Sequence, residues 1–322
     1  MKQVLTATCL MALPFTASAD LFSDNFDVDS TANWQFNSSV SGDTNGNGLH
    51  GEANFFFDYS TVGISSAPNS VGGSTRGLKM EANVPGSGIF GGMSVSPLAH
   101  SFTGDYILRM DVWQNFNGPA PAGGSGSTQM TMGGIGTTGT VAMFPGGTYH
   151  GRGFSASGDG GTATDYRAYN AAGAPLAETS GAYAAGNVAG VTNNTNAYYS
   201  GFQGSIPAAQ TALFPQQTGT PAVGTQSFKW HDWQIAKIGN SVTWTIDGLL
   251  IATMAYDTPG GNNIFLGQFD INATSSTDPN ARALLFGLVD NVRVTEVVPE
   301  PASMTALGLG VLALIRRRKS AR

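Results

Sequence analysis

Two tight-turn dipeptides constrain this chain more than any other feature. Gly239-Asn240 and Asp247-Gly248 separate three runs in which apolar and polar side chains alternate. The runs are residues 228–238, 241–246 and 249–256. Gly, Asn and Asp tolerate the left-handed backbone of two-residue hairpin turns, so these dipeptides indicate antiparallel neighbours. Val242, Trp244 and Ile246 share one face of the middle run, which predicts a β-meander with that face in a core.

Other stretches carry the same signal. Apolar and polar residues alternate within 105–116, and apolar runs recur at 264–271 and 283–297. The chain has 44 glycines and only 15 Lys and Arg together, so turn formers are abundant and helix formers are scarce. We therefore predict one all-β, antiparallel sandwich over residues 20–297, with almost no helix. The weakly periodic Gly/Ala/Ser/Thr-rich stretch at about 117–224 is predicted to be an insertion of short strands, turns and loops.

The N-terminal end has the parts of a secretory signal peptide. Residues 1–19 contain an early lysine, a short apolar region at 4–15 and the small residues Ala17 and Ala19 at an A-x-A cleavage site. Cleavage there by signal peptidase leaves Asp20 as the new N-terminus. The single cysteine, Cys9, lies inside this segment. The exported body is therefore expected to have neither a disulfide nor thiol chemistry.

The C-terminal end, residues 298–322, also has a composition unlike the body. An uncharged apolar stretch, residues 302–315, is preceded by a short acidic motif and followed by a basic stop. The motif is Pro299, Glu300 and Pro301, and the stop is Arg316, Arg317, Arg318 and Lys319. As a helix, the stretch spans about 21 Å, short of a typical ~30 Å hydrocarbon core. Its basic flank nevertheless predicts a short transmembrane helix with its C-terminus in the cytoplasm.

This end resembles the PEP-CTERM sorting signal of Gram-negative bacteria. The resemblance implies transient anchoring in the inner membrane, recognition by an exosortase-type enzyme, and trimming near Pro299–Pro301. It further implies release to the cell surface or extracellular matrix. The chain is then expected to contact the membrane only through the C-terminal helix, and only before processing.

The body resembles LamG-like, concanavalin-type jelly rolls. The residues that carry the resemblance are Trp230 to Ile235 with the hairpin that follows, the closing segment Leu288 to Val294, and the opening segment Ser23 to Phe26. The resemblance implies a jelly-roll β-sandwich in which the opening strand lies beside the closing strand. Lectins, glycosidases and inert modules share this architecture, so it does not imply a reaction.

Charge narrows the range of partners. The whole chain has 15 Lys+Arg against 21 Asp+Glu, and six of the cations lie in the two terminal segments, so the body is strongly acidic. An acidic body disfavours nucleic acid and anionic membranes as partners. It suits solubility, divalent cations and neutral glycans.

Acidic residues near the two ends of the body are the candidate metal ligands. If the first and last strands pair, Asp24 and Asp27 could share a structural Ca²⁺ with Asp290, because calcium takes carboxylate oxygens. Asp290 shares parity with apolar residues of the last strand and is expected to point inward. The alternative is that Asp290 caps backbone N–H groups or sits on a bulge. Residues 43–48 alternate oxygen ligands as a calcium loop does, but a plain Asn/Gly turn is favoured there.

Tryptophans are the candidate glycan contacts. Trp233 and Trp244 share faces with apolar residues and are predicted to be core. Trp113 and Trp230 fall on the polar parity of their strands. They are the candidates for an exposed sugar-stacking platform, with core or rim packing as the alternative.

No catalytic signature stands out. The Glu-x-Asp-x-x-Glu strand of laminarinase-type jelly rolls is missing, no Gly-x-Ser-x-Gly elbow occurs, and the histidines lack metal-ligand spacing. We expect an exported, non-catalytic structural or adhesive protein that needs no cofactor and associates with extracellular polysaccharide. A calcium-dependent carbohydrate-binding module is the first alternative. A polysaccharide-degrading enzyme is the second.

Overall fold

The computed structural model describes residues 20–85, 88–117, 128–145, 151–162, 164–185, 193–271 and 281–297. The strands in these ranges are β1 (Asp20–Asp24), β2 (Trp34–Ser38), β3 (Glu52–Asp58), β4 (Arg76–Glu81), β5 (Gly91–Pro97), β6 (Tyr106–Asn115), β7 (Gln129–Thr137), β8 (Arg152–Ser157), β9 (Tyr166–Tyr169), β10 (His231–Ile238), β11 (Ser241–Ile246), β12 (Leu249–Ala255), β13 (Asn263–Asp270) and β14 (Phe286–Glu296). Two short α-helices accompany them, α1 (Ala208–Leu213) and α2 (Ala281–Leu284). The prediction of an all-β body with almost no helix is confirmed.

The strands form two antiparallel sheets. The larger sheet has the order β12-β11-β10-β6-β14-β4-β3, and β1 also pairs with β14. The smaller sheet has the order β2-β5-β13-β7-β8-β9. The chain passes between the sheets at every step from β4 to β7 and again from β12 to β14. Strands consecutive in the chain thus alternate between layers, as in a jelly roll.

Apolar side chains of the two sheets meet between the layers. Leu108, Met110 and Val112 of β6 are buried in this core, as their alternation predicts. Trp233 and Trp244 are also fully buried, with ring centroids 4.8 Å apart in an edge-to-face arrangement. The prediction that these two tryptophans belong to the core is confirmed.

Two sequence-based pairings are confirmed. The predicted meander is formed by β10, β11 and β12, and each neighbouring pair is antiparallel. The opening strand β1 lies antiparallel beside the closing strand β14, with Ser23 opposite Arg293. The two ends of the body therefore lie side by side in the larger sheet.

The Gly-rich stretch at about 117–224 is not simply added to the sandwich. It supplies β7, β8 and β9, which make up half of the smaller sheet, and β7 lies centrally between β13 and β8. Gly134 shows why glycine is needed there. A Cβ atom at this position would overlap the carbonyl oxygen of Arg152 and the ring of Phe265. Close packing of these strands therefore removes the side-chain alternation that would identify them.

Both predicted terminal segments, residues 1–19 and 298–322, lie outside the described residues. Ala17, Ala19 and the Pro-Glu-Pro and basic residues of the tail are among them. Within the described ranges, no helix has the length and apolar character needed to cross a membrane.

Candidate functional site: the outer face of the larger sheet

A β-bulge on β14 determines which side chains reach the outer face of the larger sheet. Asp290 is opposite Asp111 of β6, but the next aligned pair is Arg293 with Arg109. Asn291 lies between these two pairs as a residue of the bulge, and its backbone φ is 52°. Such a bulge shifts the side-chain alternation by one residue.

The bulge corrects the predicted orientation of Asp290. Phe286 and Leu288 pack in a separate apolar cluster on the outer face, whereas Val292 and Val294 pack in the core between the sheets. The residues predicted to share one face with Asp290 therefore divide between two faces. Asp290 lies with the outer group, because it precedes the bulge.

One half of the outer face is covered. The segment from Tyr59 to Val71, helix α1 and the residues before β10 lie over it and enclose the outer apolar cluster. The buried members of that cluster are Tyr59, Val62, Ile64, Ala67, Trp113, Phe116, Phe228, Trp230, Phe286 and Leu288.

The predicted tryptophan platform is wrong, because both rings lie under this cover. Trp113 and Trp230 are 4% and 8% exposed, with ring centroids 5.7 Å apart. The indole Nε1 of Trp230 donates a hydrogen bond of 2.9 Å to the carbonyl oxygen of Ser65. Neither ring offers a free face to a sugar. The alternation along their strands correctly placed both tryptophans on the outer face, but it could not reveal that a distant segment of the chain covers that face.

Asp111 anchors one end of the cover. Its side chain is buried, and its Oδ1 accepts a 2.7 Å hydrogen bond from the Nδ2 of Asn69. Its Oδ2 accepts from the backbone N–H of Asn69 at 3.1 Å and from the Nδ2 of Asn291 at 2.9 Å. Burial raises the pKa of Asp111, and the hydrogen bonds from Asn291 and Asn69 oppose the rise.

Asp290 anchors the same segment from the neighbouring strand. Its Oδ2 accepts hydrogen bonds from the hydroxyls of Tyr59 at 3.1 Å and Ser70 at 2.8 Å, and its Oδ1 accepts from the backbone N–H of Asn291 at 2.7 Å. Burial raises the pKa of Asp290 to about 7, and the negative charge of Asp111 adds to the rise. Asp290 therefore matches the predicted alternative to a calcium ligand. It is a carboxyl at a bulge that accepts hydrogen bonds from nearby residues.

The three predicted calcium ligands are not assembled into one site. Asp24 Oδ2 accepts from the indole Nε1 of Trp34 at 2.8 Å, and Asp27 Oδ2 accepts from the side chain of Asn25 at 2.6 Å. Within the described ranges, no group of three or more His, Cys, Asp and Glu side chains is arranged to hold a metal ion. Pairing of β1 with β14 is thus insufficient to bring these carboxyls together.

Residues 43–48 form the predicted Asn/Gly turn. The carboxyl of Asp43 accepts hydrogen bonds from the backbone N–H groups of His50 and Gly51 at 3.2 and 2.9 Å. The side chain of Asn45 bonds the backbone of Ala53 in both directions. These oxygens and amides hold the start of β3.

The other half of the outer face is open and polar. Aligned residues of five neighbouring strands place one polar side chain each along a line, which we call the polar row. The row consists of Thr245, Gln234, Arg109, Arg293 and Ser23, on β11, β10, β6, β14 and β1. With strands spaced about 4.8 Å apart, the row is about 19 Å long.

Hydrogen bonds fix the middle of the polar row. The guanidinium of Arg109 donates from Nε and Nη2 to the two carboxyl oxygens of Asp232, at 2.8 and 2.7 Å. Gln234 Nε2 donates to the same Asp232 carboxyl at 3.0 Å. The Asp232 side chain raises the pKa of Arg109. Arg293 is held less tightly, with its Nε 3.7 Å from a carboxyl oxygen of Asp20.

Four of the five residues of the polar row lie in a surface groove of about 1250 Å³. Arg109, Arg293, Gln234 and Ser23 line it. Its margin includes four exposed apolar side chains, Leu21, Val28, Val71 and Leu98. The exposed ring of His100 also lines the groove and stacks on Phe102 at 5.7 Å with an interplanar angle of 3°. The groove thus combines hydrogen-bond donors with apolar surface, the two kinds of group that carbohydrate binding uses.

Sequence reasoning missed most of this site. The alternation on β6 already placed Arg109 on the polar face. Arg293 could not be assigned, because its face depends on the bulge at Asn291. Ser23 and Gln234 join the row only through strand register, which no local pattern encodes.

One family model matches the chain, under the description PEP-CTERM protein-sorting motif, over residues 297–319. The motif implies export, membrane-anchored sorting to the cell surface, and processing by an exosortase. No curated protein matches the chain.

Among solved structures, the fold is similar to a protein of unknown function with galectin-like fold from Bacillus subtilis (10% identity, 88% of this chain and 100% of that one, TM-score 0.40). It is also similar to an endo-1,3-β-glucanase from Streptomyces sioyaensis (13%, 90% and 100%, TM-score 0.42). A third similar structure is the exoplasmic/lumenal domain of VIP36 in a Ca²⁺/Man2-bound form (8%, 89% and 93%, TM-score 0.41). Likenesses this distant bear on neither ligand nor activity. The chain is thus an antiparallel jelly-roll β-sandwich that carries a PEP-CTERM protein-sorting motif at its C-terminus.

Proposed function

We propose that the exported protein is a non-catalytic, polysaccharide-associated component of the cell surface or extracellular matrix of a Gram-negative bacterium. The observation that carries this proposal is the polar row in an open groove on the larger sheet. Aligned hydroxyl, amide and guanidinium groups can donate to successive sugar hydroxyls. The apolar margin of the groove can contact the less polar faces of the rings.

The two carboxyls that are aligned between β6 and β14 are in a state that suits structure and not catalysis. Asp111 and Asp290 are opposite one another, but they are 0% and 1% exposed. Each carboxyl accepts three hydrogen bonds from its own chain. Hydrolysis of a glycoside requires two carboxyls that flank an accessible bond. Buried and fully hydrogen-bonded carboxyls are suited to structure instead.

The proposal is tested with the full chain purified in mild detergent and a panel of immobilised polysaccharides, neutral and acidic. We expect saturable binding to at least one of them without release of reducing ends. Gln234→Ala should weaken that binding, because it removes a donor from the polar row. Gln35→Ala, on β2 of the other sheet, is the matched control and should leave it unchanged.

Three outcomes would change the assignment. Binding that disappears with EDTA and returns with Ca²⁺ supports a calcium-dependent lectin in place of a cofactor-free module. Release of reducing ends supports an enzyme. Absence of binding to every polysaccharide removes the role proposed for the groove.

A further inference from the structure

We propose that the polar row selects acidic polysaccharide, with Arg109 and Arg293 together binding the carboxylate of a uronic acid unit. This inference rests on the proposed function, because it names the ligand class of the same groove. The protein's net charge is negative and by itself favours neutral ligands. Selection of an acidic ligand must therefore come from the local pair of arginines.

The first argument is the direct opposition of two like charges. Arg109 and Arg293 are aligned partners on neighbouring strands. Their side chains are 49% and 59% exposed and line the same groove. Like charges directly opposite one another destabilise an antiparallel pair. Asp232 offsets part of this repulsion through its two hydrogen bonds with Arg109, and an anion that contacts both guanidinium groups would offset more of it.

The second argument is the number of free donors. Asp232 occupies Nε and Nη2 of Arg109 and leaves Nη1 without a partner in the described part of the chain. The guanidinium of Arg293 makes no hydrogen bond to any described residue, and its 3.7 Å contact with Asp20 is too long to be one. Guanidinium groups bind carboxylates through two parallel hydrogen bonds, which an ammonium cannot reproduce. Arg293 retains the geometry for such a fork, and Arg109 can add a further donor.

Asp20 would contribute a third cation to the groove of the mature protein. Asp20 lines the groove, and its carboxyl lies 3.7 Å from the Nε of Arg293. Predicted cleavage after Ala19 would create a free α-amino group on Asp20. Its positive charge would offset the Asp20 carboxylate beside Arg293. The centre of the groove would then be more cationic in the mature protein than in the precursor.

The remaining row residues suit the rest of the chain. Ser23 follows Arg293 on one side, and Gln234 and Thr245 follow Arg109 on the other. They present uncharged groups at intervals of about 4.8 Å. An extended polysaccharide lying across the strands would place its carboxylate at the arginines and its hydroxyls at these neighbours.

The test uses the full chain in mild detergent with polygalacturonate and its fully methyl-esterified form. The two polymers have the same backbone, but only the first carries carboxylates. We expect the unmodified protein to bind the acidic polymer about tenfold more tightly, and Arg293→Gln to remove most of that preference. Arg293→Lys should retain part of it, because the charge remains without the fork. Arg76→Gln, at a half-buried arginine on β4 outside the groove, should retain all of it.

The outcomes separate the two proposals. Equal binding of both polymers overturns the selection of carboxylates and leaves the polysaccharide-binding role in place. The same conclusion follows if only neutral glucans bind, or if Arg76→Gln lowers the preference as much as Arg293→Gln. Failure of every polysaccharide to bind overturns both proposals.

Discussion

Asp111 of β6 and Asp290 of β14 are directly opposite one another, and both accept hydrogen bonds from the segment that covers half of the larger sheet. Asn291 links them, since its backbone N–H donates to Asp290 and its side chain donates to Asp111. The same residue forms the bulge that turns Arg293 outward. One local irregularity therefore anchors the cover and also defines the open polar row.

The Asp290 carboxyl should make stability depend on pH. Burial raises its pKa to about 7 in the folded protein, well above the unfolded value near 4. The folded state then holds the proton more tightly, so the stabilisation is complete below about pH 4 and is lost as the pH rises through about 7. In urea titrations, we expect Asp290→Asn to reduce the fall in unfolding free energy over this range by on the order of 2 kcal/mol.

The matched control is Asp27→Asn, whose carboxyl accepts a hydrogen bond from the side chain of Asn25 in an exposed turn. This variant should keep the pH dependence of the unmodified protein. If Asp290→Asn and the unmodified protein lose stability in parallel between pH 4 and pH 8, the Asp290 carboxyl is not the group responsible.

Removal of Trp230 should destabilise the fold without acting on the groove directly. Its indole is buried against Tyr59 and Trp113, with centroids 5.2 and 5.7 Å away, and bonds the carbonyl of Ser65. Truncation of a buried tryptophan to alanine costs about 3–5 kcal/mol. We therefore expect Trp230→Ala to lower the midpoint of urea unfolding substantially, while the fraction that remains folded binds polysaccharide as before.

Phe90→Ala provides the comparison, because Phe90 is 47% exposed and should change stability by less than about 1 kcal/mol. A Trp230→Ala protein of normal stability that no longer binds glycans would show that this ring belongs to the binding surface after all.

The β10-β11-β12 meander of the larger sheet could be predicted from the sequence because its signals are local. The turn dipeptides Gly239-Asn240 and Asp247-Gly248 and the alternation around them determine β10, β11 and β12. Pairing of the first and last strands was predicted from the resemblance to jelly rolls, and the structure confirms it. The meander needs no information from distant parts of the chain, whereas the pairing of β1 with β14 joins its two ends and could be inferred only from the resemblance.

The site could not be predicted in the same way, because its features arise from long-range contacts. Trp230 is buried by a segment 165 residues away, through its bond to Ser65. The outward direction of Arg293 depends on one bulged residue, Asn291. The β7 strand was hidden for a different reason: close packing at Gly134 excludes the side chain whose alternation would have been visible.

The packing at Gly134 gives a further prediction. A methyl group there would overlap the backbone of Arg152 and the ring of Phe265, so neighbouring strands of the smaller sheet would have to move. Overpacking of this kind costs about 1–3 kcal/mol. Thermal unfolding should show Gly134→Ala to be clearly less stable than the unmodified protein. Gly201→Ala is the control, since a Cβ at Gly201 would meet no atom within 4 Å; equal midpoints for the two variants would contradict the packing argument.

The matched sorting motif predicts where the chain accumulates. Replacement of Pro299, Glu300 and Pro301 by alanine should prevent trimming, since these residues form the recognised motif ahead of the apolar stretch. The uncut chain should then remain in the membrane fraction, held by residues 302–315 and the basic stop that follows. Cell fractionation followed by mass spectrometry of the C-terminal peptide measures both effects. Ser303→Ala, in the same tail, should be trimmed and released normally. An unchanged distribution of the triple variant would mean that trimming does not depend on this tripeptide.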